Sequence, residues 1–202
     1  TGASQRRGHE VVVSSKDWRS GLPVAAITAL HVLGLLVTLD HPALWFTTHP
    51  ILNADWGLHY HHLKSTVGFW EAGGRLWGYN PFFMAGYPSN TFQDASIKLF
   101  ELAAVWMPLA EPVQAFKLLV FAATAGIPLM VYLTYRNFVG TEASAAGGAL
   151  AALLGTACWW NSLPREMFFY GMIGFPLGAY AAFFAVSLLH RALASAHRFS
   201  RR

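Results

Sequence analysis

The chain has few charged residues and almost no cysteine. Aspartate, glutamate, lysine and arginine make up only 12% of its 202 residues, about half the fraction that is typical of soluble domains. Hydrophobic residues make up 54%, which excludes an intrinsically disordered chain. The single cysteine, Cys158, lies in an apolar stretch, so a disulfide framework within the chain is excluded. This composition indicates an integral membrane protein.

Four apolar stretches are long enough to cross a bilayer, which takes about 20 helical residues. They cover approximately residues 21–39, 113–135, 143–160 and 170–190. Proline interrupts the second and the fourth stretch, which membrane helices tolerate where a neighbour satisfies the freed carbonyl. Small residues in the third stretch favour close helix packing. The sequence therefore predicts an all-α integral membrane protein with about four transmembrane helices and a large outer loop.

The basic residues predict the orientation of these helices. Cytoplasmic segments of membrane proteins are enriched in lysine and arginine, and such residues cluster in both termini and in the turn after the second stretch (Arg6, Arg7, Lys16, Arg19, Arg136, Arg191, Arg198, Arg201 and Arg202). We expect a cytoplasmic tail over 1–20, a four-helix membrane domain over 21–190 and a basic cytoplasmic tail over 191–202. Loop 40–111 then lies on the periplasmic or extracellular side of a bacterial inner membrane. Membrane topology explains the net charge of +4, so we expect no nucleic-acid partner.

The outer loop is rich in aromatic residues, which favour the headgroup level of a bilayer. We therefore expect it to contain interfacial amphipathic helices. Between Asp55 and Glu71, apolar residues recur at spacings of three and four, which predicts a helix. Gly73 and Gly74 predict its end, and a second helix is expected over 94–106. The apolar stripe of the first helix is expected to face the membrane or a partner (Trp56, Tyr60, Leu63, Val67 and Trp70).

An aspartate and two histidines share a neighbouring face of the first predicted helix. Asp55, His59 and His62 have the spacing i, i+4, i+7, which lets three ligands converge. They could bind a divalent metal such as Mg²⁺ or Mn²⁺. Alternatively, Asp55 is a general base that takes a proton from an acceptor hydroxyl. A third interpretation is that the histidines are interfacial side chains that contact water or headgroups, whereas His61 points away and looks structural.

Other ionisable residues lie near the predicted membrane boundaries. Arg165 and Glu166 precede the fourth stretch, and Lys117 begins the second. Arg165 and Glu166 could reach a substrate phosphate or a metal near Asp55, and Lys117 could contact a substrate phosphate or a lipid phosphate. The alternative is that all three are ordinary interfacial charges. His31 is alone within the first stretch, where a packed or hydrogen-bonded histidine is more common than a haem or pigment ligand.

The order of motifs in the outer loop resembles a known family. Asp55-Trp56-x-x-His59 is followed by a turn at Gly78 to Pro81 and then by Gly86-Tyr87-Pro88. This order is similar to the N-terminal part of the GT-C superfamily of polytopic membrane glycosyltransferases. The resemblance implies that Asp55 is the acid near the sugar-transfer centre, that His59 is its neighbour, and that Tyr87 helps to shape the substrate cleft. It also implies a polyprenyl-phosphate-linked sugar donor and, in some members, a divalent metal.

Three functional hypotheses follow. Members of this family usually have many more than four transmembrane helices, which favours a short non-catalytic subunit that docks into a larger membrane complex through its aromatic outer loop. The second hypothesis is the N-terminal part of a glycosyltransferase that moves a sugar from a polyprenyl-phosphate donor at the outer membrane face. The third is a small membrane subunit that binds a cofactor through His31, or through His59 and His62. The expected partners are the lipid bilayer and other membrane protein subunits.

Overall fold

The protein is mostly helical, at 78%, which agrees with the predicted all-α class. The computed structural model describes residues 15–38, 42–89, 97–107, 111–140 and 143–200, with side chains from residue 21 to residue 196. The α-helices in these residues are α1 (Ser15–Thr38), α2 (Trp56–Gly73), α3 (Lys98–Trp106), α4 (Pro112–Ala125), α5 (Ile127–Val139), α6 (Ala145–Trp160), α7 (Ser162–Phe169) and α8 (Gly174–Ser200). A 3-10 helix covers Pro42–Phe46, and two short strands, β1 (Gly78–Asn80) and β2 (Tyr87–Ser89), form a hairpin.

Two of the described helices are long and apolar enough to cross a membrane, namely α1 over Gly21–Thr38 and α8 over Gly174–Ala196. Helices α4 and α5 qualify only together, because their axes are bent by 51°. Helix α6 is apolar but has 16 residues, or about 24 Å at about 1.5 Å per residue. The predicted stretch 113–135 is therefore not one straight helix. The predicted tails are partly helical, since α1 begins at Ser15 and α8 continues to Ser200; residues 1–14 lie outside the described part.

The bend between α4 and α5 follows from a proline and is stabilised by a histidine. Pro128 has no N–H, so the carbonyl of Thr124 loses its usual helical partner. His31 of α1 supplies a replacement, with its Nε2 2.9 Å from the Thr124 oxygen. The indole of Trp160 donates to the other ring nitrogen of His31 at 3.0 Å. Thus α1, α4 and α6 meet at this bend, as expected for a proline that a neighbouring helix compensates.

Helix α6 packs closely on α5, as its small residues predict. A Cβ atom on Gly148 would lie 2.6 Å from the ring of Tyr132, and one on Gly155 would lie 2.6 Å from Val131. On the other side, the Tyr180 hydroxyl of α8 donates to the Gly155 carbonyl at 2.7 Å. The three helices therefore form a tightly packed group in which any larger side chain at these glycines would separate α5 from α6.

The segment between α1 and α4 folds back onto the helices as a separate layer. Trp45 of the 3-10 helix is buried, stacked on Phe168 of α7 and edge-on to Trp56 of α2. In α2, Trp56 and Leu63 belong to the hydrophobic core. Part of the stripe that was predicted to face the membrane or a partner thus packs on the protein's own core, with Val67 against it, whereas Trp70 is exposed.

The hairpin lies against the middle of α2. Its strands pair antiparallel with Gly78 opposite Ser89, where the sequence predicted only turns. His61 stacks on Phe83 with ring centroids 4.1 Å apart, and the amide of Asn80 lies 3.4 Å from both His61 Nε2 and Ser65 Oγ. The structural role expected for His61 is thereby explained, because its ring holds the hairpin to α2.

Candidate functional site

The start of α2 is fixed to the turn that joins α7 to α8. The Asp55 N–H donates to the Tyr170 carbonyl at 3.0 Å. The Trp56 indole N–H is shared between the carbonyls of Phe168 and Phe169, each at 3.2 Å. Next, Nε2 of His59 lies 2.5 Å from the Gly171 carbonyl. The Asp-Trp-x-x-His motif thus binds backbone atoms about 112 residues later in the chain.

This contact requires glycine at position 171. Gly171 is buried and has a φ of +83°, a region that other L-residues rarely adopt. A Cβ atom there would lie 2.5 Å from the Trp56 nitrogen and 2.8 Å from the Asp55 carbonyl carbon. The close approach of the two backbones is therefore possible only because residue 171 has no side chain.

The hydrogen bond of His59 fixes the protonation of its ring. A carbonyl oxygen can only accept, so Nε2 must carry the proton that it donates to Gly171. The other nitrogen, Nδ1, is buried and has no hydrogen-bond partner among the described residues. With the proton on Nε2, Nδ1 holds a lone pair beside the start of α2 that no described residue engages, and this atom could bind a cation.

The side chain of Asp55 is not used for structure within the described residues. An aspartate before a helix commonly accepts a bond from a backbone N–H of the first turn. Asp55 instead has helical dihedral angles (φ −69°, ψ −13°) and makes no such bond, and its carboxylate forms none of the hydrogen bonds or ion pairs among these residues. The preceding residue, Ala54, has a φ of +45°, which costs roughly 1–2 kcal/mol in an L-residue. Strained backbone of this kind clusters at functional sites.

The three predicted metal ligands are not gathered into a cluster. No group of three or more His, Cys, Asp or Glu side chains that could hold a metal ion occurs in the described residues. His62 is buried, on the same face of α2 as Thr66, and Thr66 bonds to Glu101 of α3 at 2.9 Å. His62 therefore lies on the face toward α3, whereas His59 bonds to the α7–α8 turn. Metal binding by Asp55, His59 and His62 stays a prediction.

A buried carboxylate was missed by the sequence reasoning. Glu101 of α3 is fully buried, and one of its oxygens accepts bonds from Thr66 at 2.9 Å and from Lys98 at 2.6 Å. Its other oxygen has no partner among the described residues. The i, i+3 spacing of Lys98 and Glu101 was the available signal, but such pairs are usually exposed and contribute little. Its burial depends on α2, which the spacing alone does not reveal.

The predicted substrate-binding residues occupy different places. Lys117 is buried, and its ammonium donates to the backbone carbonyls of Leu44 and His49. It therefore holds the 3-10 segment, whereas an outward position was expected. Arg165 is half-buried and Glu166 exposed on α7, about one turn before Tyr170, which bonds to Asp55. Tyr87 packs edge-on against Phe83 in the hairpin, which lies along the middle of α2, beyond the turn that carries Asp55.

His31 does not have a free ring nitrogen. Because the Trp160 indole donates to Nδ1, Nε2 must be the nitrogen that donates to Thr124. The ring is also almost completely buried, at 1% exposure. The expectation of a hydrogen-bonded packing residue therefore fits the geometry, and cofactor ligation would require breaking one of two buried hydrogen bonds.

Comparison of the chain with protein-family models, curated proteins and solved structures found no match. The resemblance to GT-C glycosyltransferases therefore stays a prediction from the outer-loop motifs. The function must be inferred from the residues at the start of α2 and from their surroundings.

Proposed function

We propose that the protein is an integral membrane protein that crosses the bilayer four times, through α1, the bent pair α4–α5, α6 and α8. Helix contacts support alternating directions: Gly34 near the end of α1 packs against Trp160 at the end of α6, and Asn137 near the end of α5 bonds to Ser187 in the second half of α8. On this topology, the outer layer consists of α2, the hairpin, α3 and α7. Both termini are cytoplasmic.

We further propose that the outer layer contains a sugar-transfer site of the GT-C type, with Asp55 as its acid. The observation that supports this proposal is that the Asp55 carboxylate has no partner among the described residues while its backbone is held by the α7–α8 turn. The backbone of Asp55 and the side chains of Trp56 and His59 are all bonded to the α7–α8 turn. The backbone of Asp55 is therefore held in place, and its carboxylate is available to contact a substrate because no described residue occupies it.

The chemistry requires a base and a positive group. The Asp55 carboxylate would accept the proton of an acceptor hydroxyl as that oxygen attacks the anomeric carbon. The bond between this carbon and the phosphate oxygen breaks, and polyprenyl phosphate leaves with the electron pair. Arg165, on the helix that leads into the same turn, would stabilise that phosphate. A divalent metal, where bound, would supply additional positive charge, with Asp55 and Nδ1 of His59 as the candidate ligands.

A conservative substitution tests this proposal. Asp55→Asn keeps the shape of the side chain and removes its charge, and it disturbs no bond among the described residues. We expect sugar transfer from a panel of polyprenyl-phosphate-linked sugars to fall by at least about a hundredfold, the usual effect of losing a general base. Glu71→Gln is the matched control, because Glu71 is an exposed acid at the far end of α2. Undiminished transfer by the Asp55→Asn protein would refute the catalytic role.

A second candidate function is supported by the hairpin. Four large side chains are exposed on and around it, which we call the hairpin surface (Trp77, Tyr79, Phe82 and Met84). Phe82 is 96% exposed, and exposed aromatic and methionine side chains are enriched at protein interfaces. This surface suits a non-catalytic subunit that docks into a larger membrane complex.

The two candidates differ in which residues matter. For a docking subunit, the double substitution Phe82→Ser and Trp77→Ser should release the protein from its native complex, measured by native electrophoresis of solubilised membranes. Asp55→Asn should leave that complex intact. Leu163→Ser is the control, because Leu163 is exposed on α7, outside the hairpin surface. A complex that survives the double substitution would contradict docking through the hairpin.

A further inference from the structure

A basic pocket lies at the end of the molecule away from Asp55. It has a volume of about 450 Å³ between the last turns of α5 and the second half of α8. Three basic side chains line it, namely Arg136, His190 and Arg191. Arg191 is about 25 Å along α8 from Gly174, at about 1.5 Å per residue. That distance is close to the thickness of a bilayer core, so on the proposed topology the pocket lies at the cytoplasmic surface.

Within the described residues, Arg191 is held by a hydrogen bond to an amide and Arg136 lies over an aromatic ring. Arg191 donates to Oδ1 of Asn137 at 3.2 Å, and the Asn137 amide donates to the Ser187 hydroxyl at 3.0 Å. Asn137 and Ser187 are both buried, so this bridge fixes Arg191 across the α5–α8 contact. Arg136 lies over the Tyr132 ring, 5.8 Å from its centroid. A guanidinium that is fixed in this way loses less entropy when it binds a ligand.

Within the described residues, no negative side chain neutralises the charge of the pocket. No aspartate or glutamate is among the described lining residues, and neither arginine forms an ion pair with another described residue. The carbonyl end of α5 contributes a partial charge of about −0.5. Two arginines outweigh that charge, so the pocket favours an anion.

The walls also indicate what kind of anion fits. The apolar side chains of Leu133, Phe138 and Val139 line the pocket beside the basic groups. This combination matches an amphiphile whose phosphate meets the arginines and whose glycerol and upper acyl carbons meet the apolar wall. Basic pockets between helices at the cytoplasmic surface are typical sites for anionic lipid headgroups.

We infer that the pocket between α5 and α8 binds the phosphate of an anionic glycerophospholipid from the inner leaflet, through Arg136 and Arg191. The site is independent of sugar transfer, because it shares no residue with the Asp55 region. It rests only on the proposed membrane placement. Its role would be to fix the cytoplasmic ends of α5 and α8 to the bilayer.

Ligand-dependent stability in detergent tests the inference. Adding short-chain phosphatidylglycerol should raise the unfolding temperature of the purified protein, since a ligand that binds the folded state stabilises it. Equal concentrations of short-chain phosphatidylcholine should have little effect. In the Arg136→Gln and Arg191→Gln double variant, the half-saturating phosphatidylglycerol concentration should increase at least about tenfold, because charge-assisted bonds are lost.

Two single variants control for a general effect of removing an arginine and for loss of folding. Arg75→Gln should keep the full effect, since Arg75 is an exposed arginine beside Trp77 in the outer layer. Arg136→Gln alone should weaken the effect without unfolding the protein, because this arginine makes only a 3.5 Å bond to Tyr132. Equal stabilisation by both lipids, or a double variant with unchanged affinity, would overturn the inference. Equal stabilisation by glycerol phosphate would identify a soluble phosphoester as the occupant and overturn the lipid assignment.

Discussion

Two histidines of this chain use their ring nitrogens differently, and their chemistry differs accordingly. His31 has both nitrogens in buried hydrogen bonds, so it is suited to structure. His59 uses one nitrogen and keeps the other buried without a partner among the described residues. An unsatisfied buried polar atom carries a free-energy cost, and such costs are tolerated where the group has a function. Because both ring nitrogens of His31 are hydrogen-bonded and only one of His59 is, His31 is the structural histidine and His59 the candidate functional one.

His31 should contribute strongly to stability. Replacing it by leucine leaves the Thr124 carbonyl and the Trp160 indole without their partners. Each unsatisfied group costs about 1–3 kcal/mol, so we expect His31→Leu to lower the free energy of unfolding by about 2–6 kcal/mol. The unfolding temperature in detergent, or the denaturant midpoint in mixed micelles, measures this loss.

His31→Gln and His49→Leu are the informative comparisons. A glutamine amide has both a donor and an acceptor, so His31→Gln should recover part of the loss. His49 has an exposed side chain, and its substitution should change stability by less than about 0.5 kcal/mol. If the His31→Leu protein were as stable as the parent, the hydrogen bonds of His31 to Thr124 and Trp160 would not contribute to stability as predicted.

The roles of some single residues could be predicted from the sequence, and those of others could not. The position of Asp55 at the start of a helix and the packing role of His31 were both readable from local spacing. The burial of Lys117 and Glu101 was not, because the carbonyls of Leu44 and His49 and the Thr66 hydroxyl come from other elements. Charged residues are seldom buried unless they are paired, and the partners become visible only after the chain has folded.

Helices whose apolar residues recur at spacings of three and four were predicted well from the sequence. The helix expected over Asp55 to Glu71 spans Trp56–Gly73, and Gly74 ends it in the left-handed conformation, as Gly73-Gly74 suggested. The second amphipathic helix is confirmed over Lys98–Trp106; residues 90–96, where its predicted start falls, lie outside the described part. The hairpin and the inward packing of part of the α2 stripe were missed. Both depend on contacts between segments, and an apolar stripe does not reveal which surface covers it.

The joint between α2 and the α7–α8 turn should depend on Gly171. In Gly171→Ala, the new methyl group would overlap the backbone of Asp55 and Trp56, and the positive φ would be strained. We expect a loss of at least about 2 kcal/mol in unfolding free energy. Proteolysis of the segment before α2 should also accelerate, because that segment would no longer be held by the turn.

Gly178→Ala is the matched control for this joint. Gly178 lies in α8, and a methyl group added there would have no neighbouring atom within 4 Å, so alanine should be tolerated or slightly stabilising. Parent-like stability and proteolysis in Gly171→Ala would contradict the proposed docking of the Asp-Trp-x-x-His motif on the turn.

At the scale of the whole molecule, two chemically different ends are separated by the long helix α8. Asp55, whose carboxylate has no partner in the described part of the chain, lies at one end, and the basic pocket of Arg136 and Arg191 lies at the other. A separation of about 25 Å along α8 fits the hydrocarbon thickness of a bilayer. On the proposed topology, Asp55 lies at the outer side and the basic pocket at the cytoplasmic side, which is the orientation that the arginine distribution predicts.

The bent pair α4–α5 decides the topology, and cysteine labelling can resolve it. If the pair crosses the membrane and α6 also crosses, as proposed, three crossings separate the hairpin from the end of α8, and the two lie on opposite sides. If the pair returns to the side from which it entered, only two crossings separate the hairpin from the end of α8, and they lie on the same side.

Cysteine labelling distinguishes these topologies. In a Cys158→Ser background, Phe82→Cys and Ser195→Cys place single thiols at two exposed positions. A membrane-impermeant maleimide applied to intact cells should label Phe82→Cys and should label Ser195→Cys only after the membrane is permeabilised. Labelling of both variants in intact cells would contradict the four-crossing topology, and it would place the basic pocket at the outer surface, where an inner-leaflet lipid could not reach it.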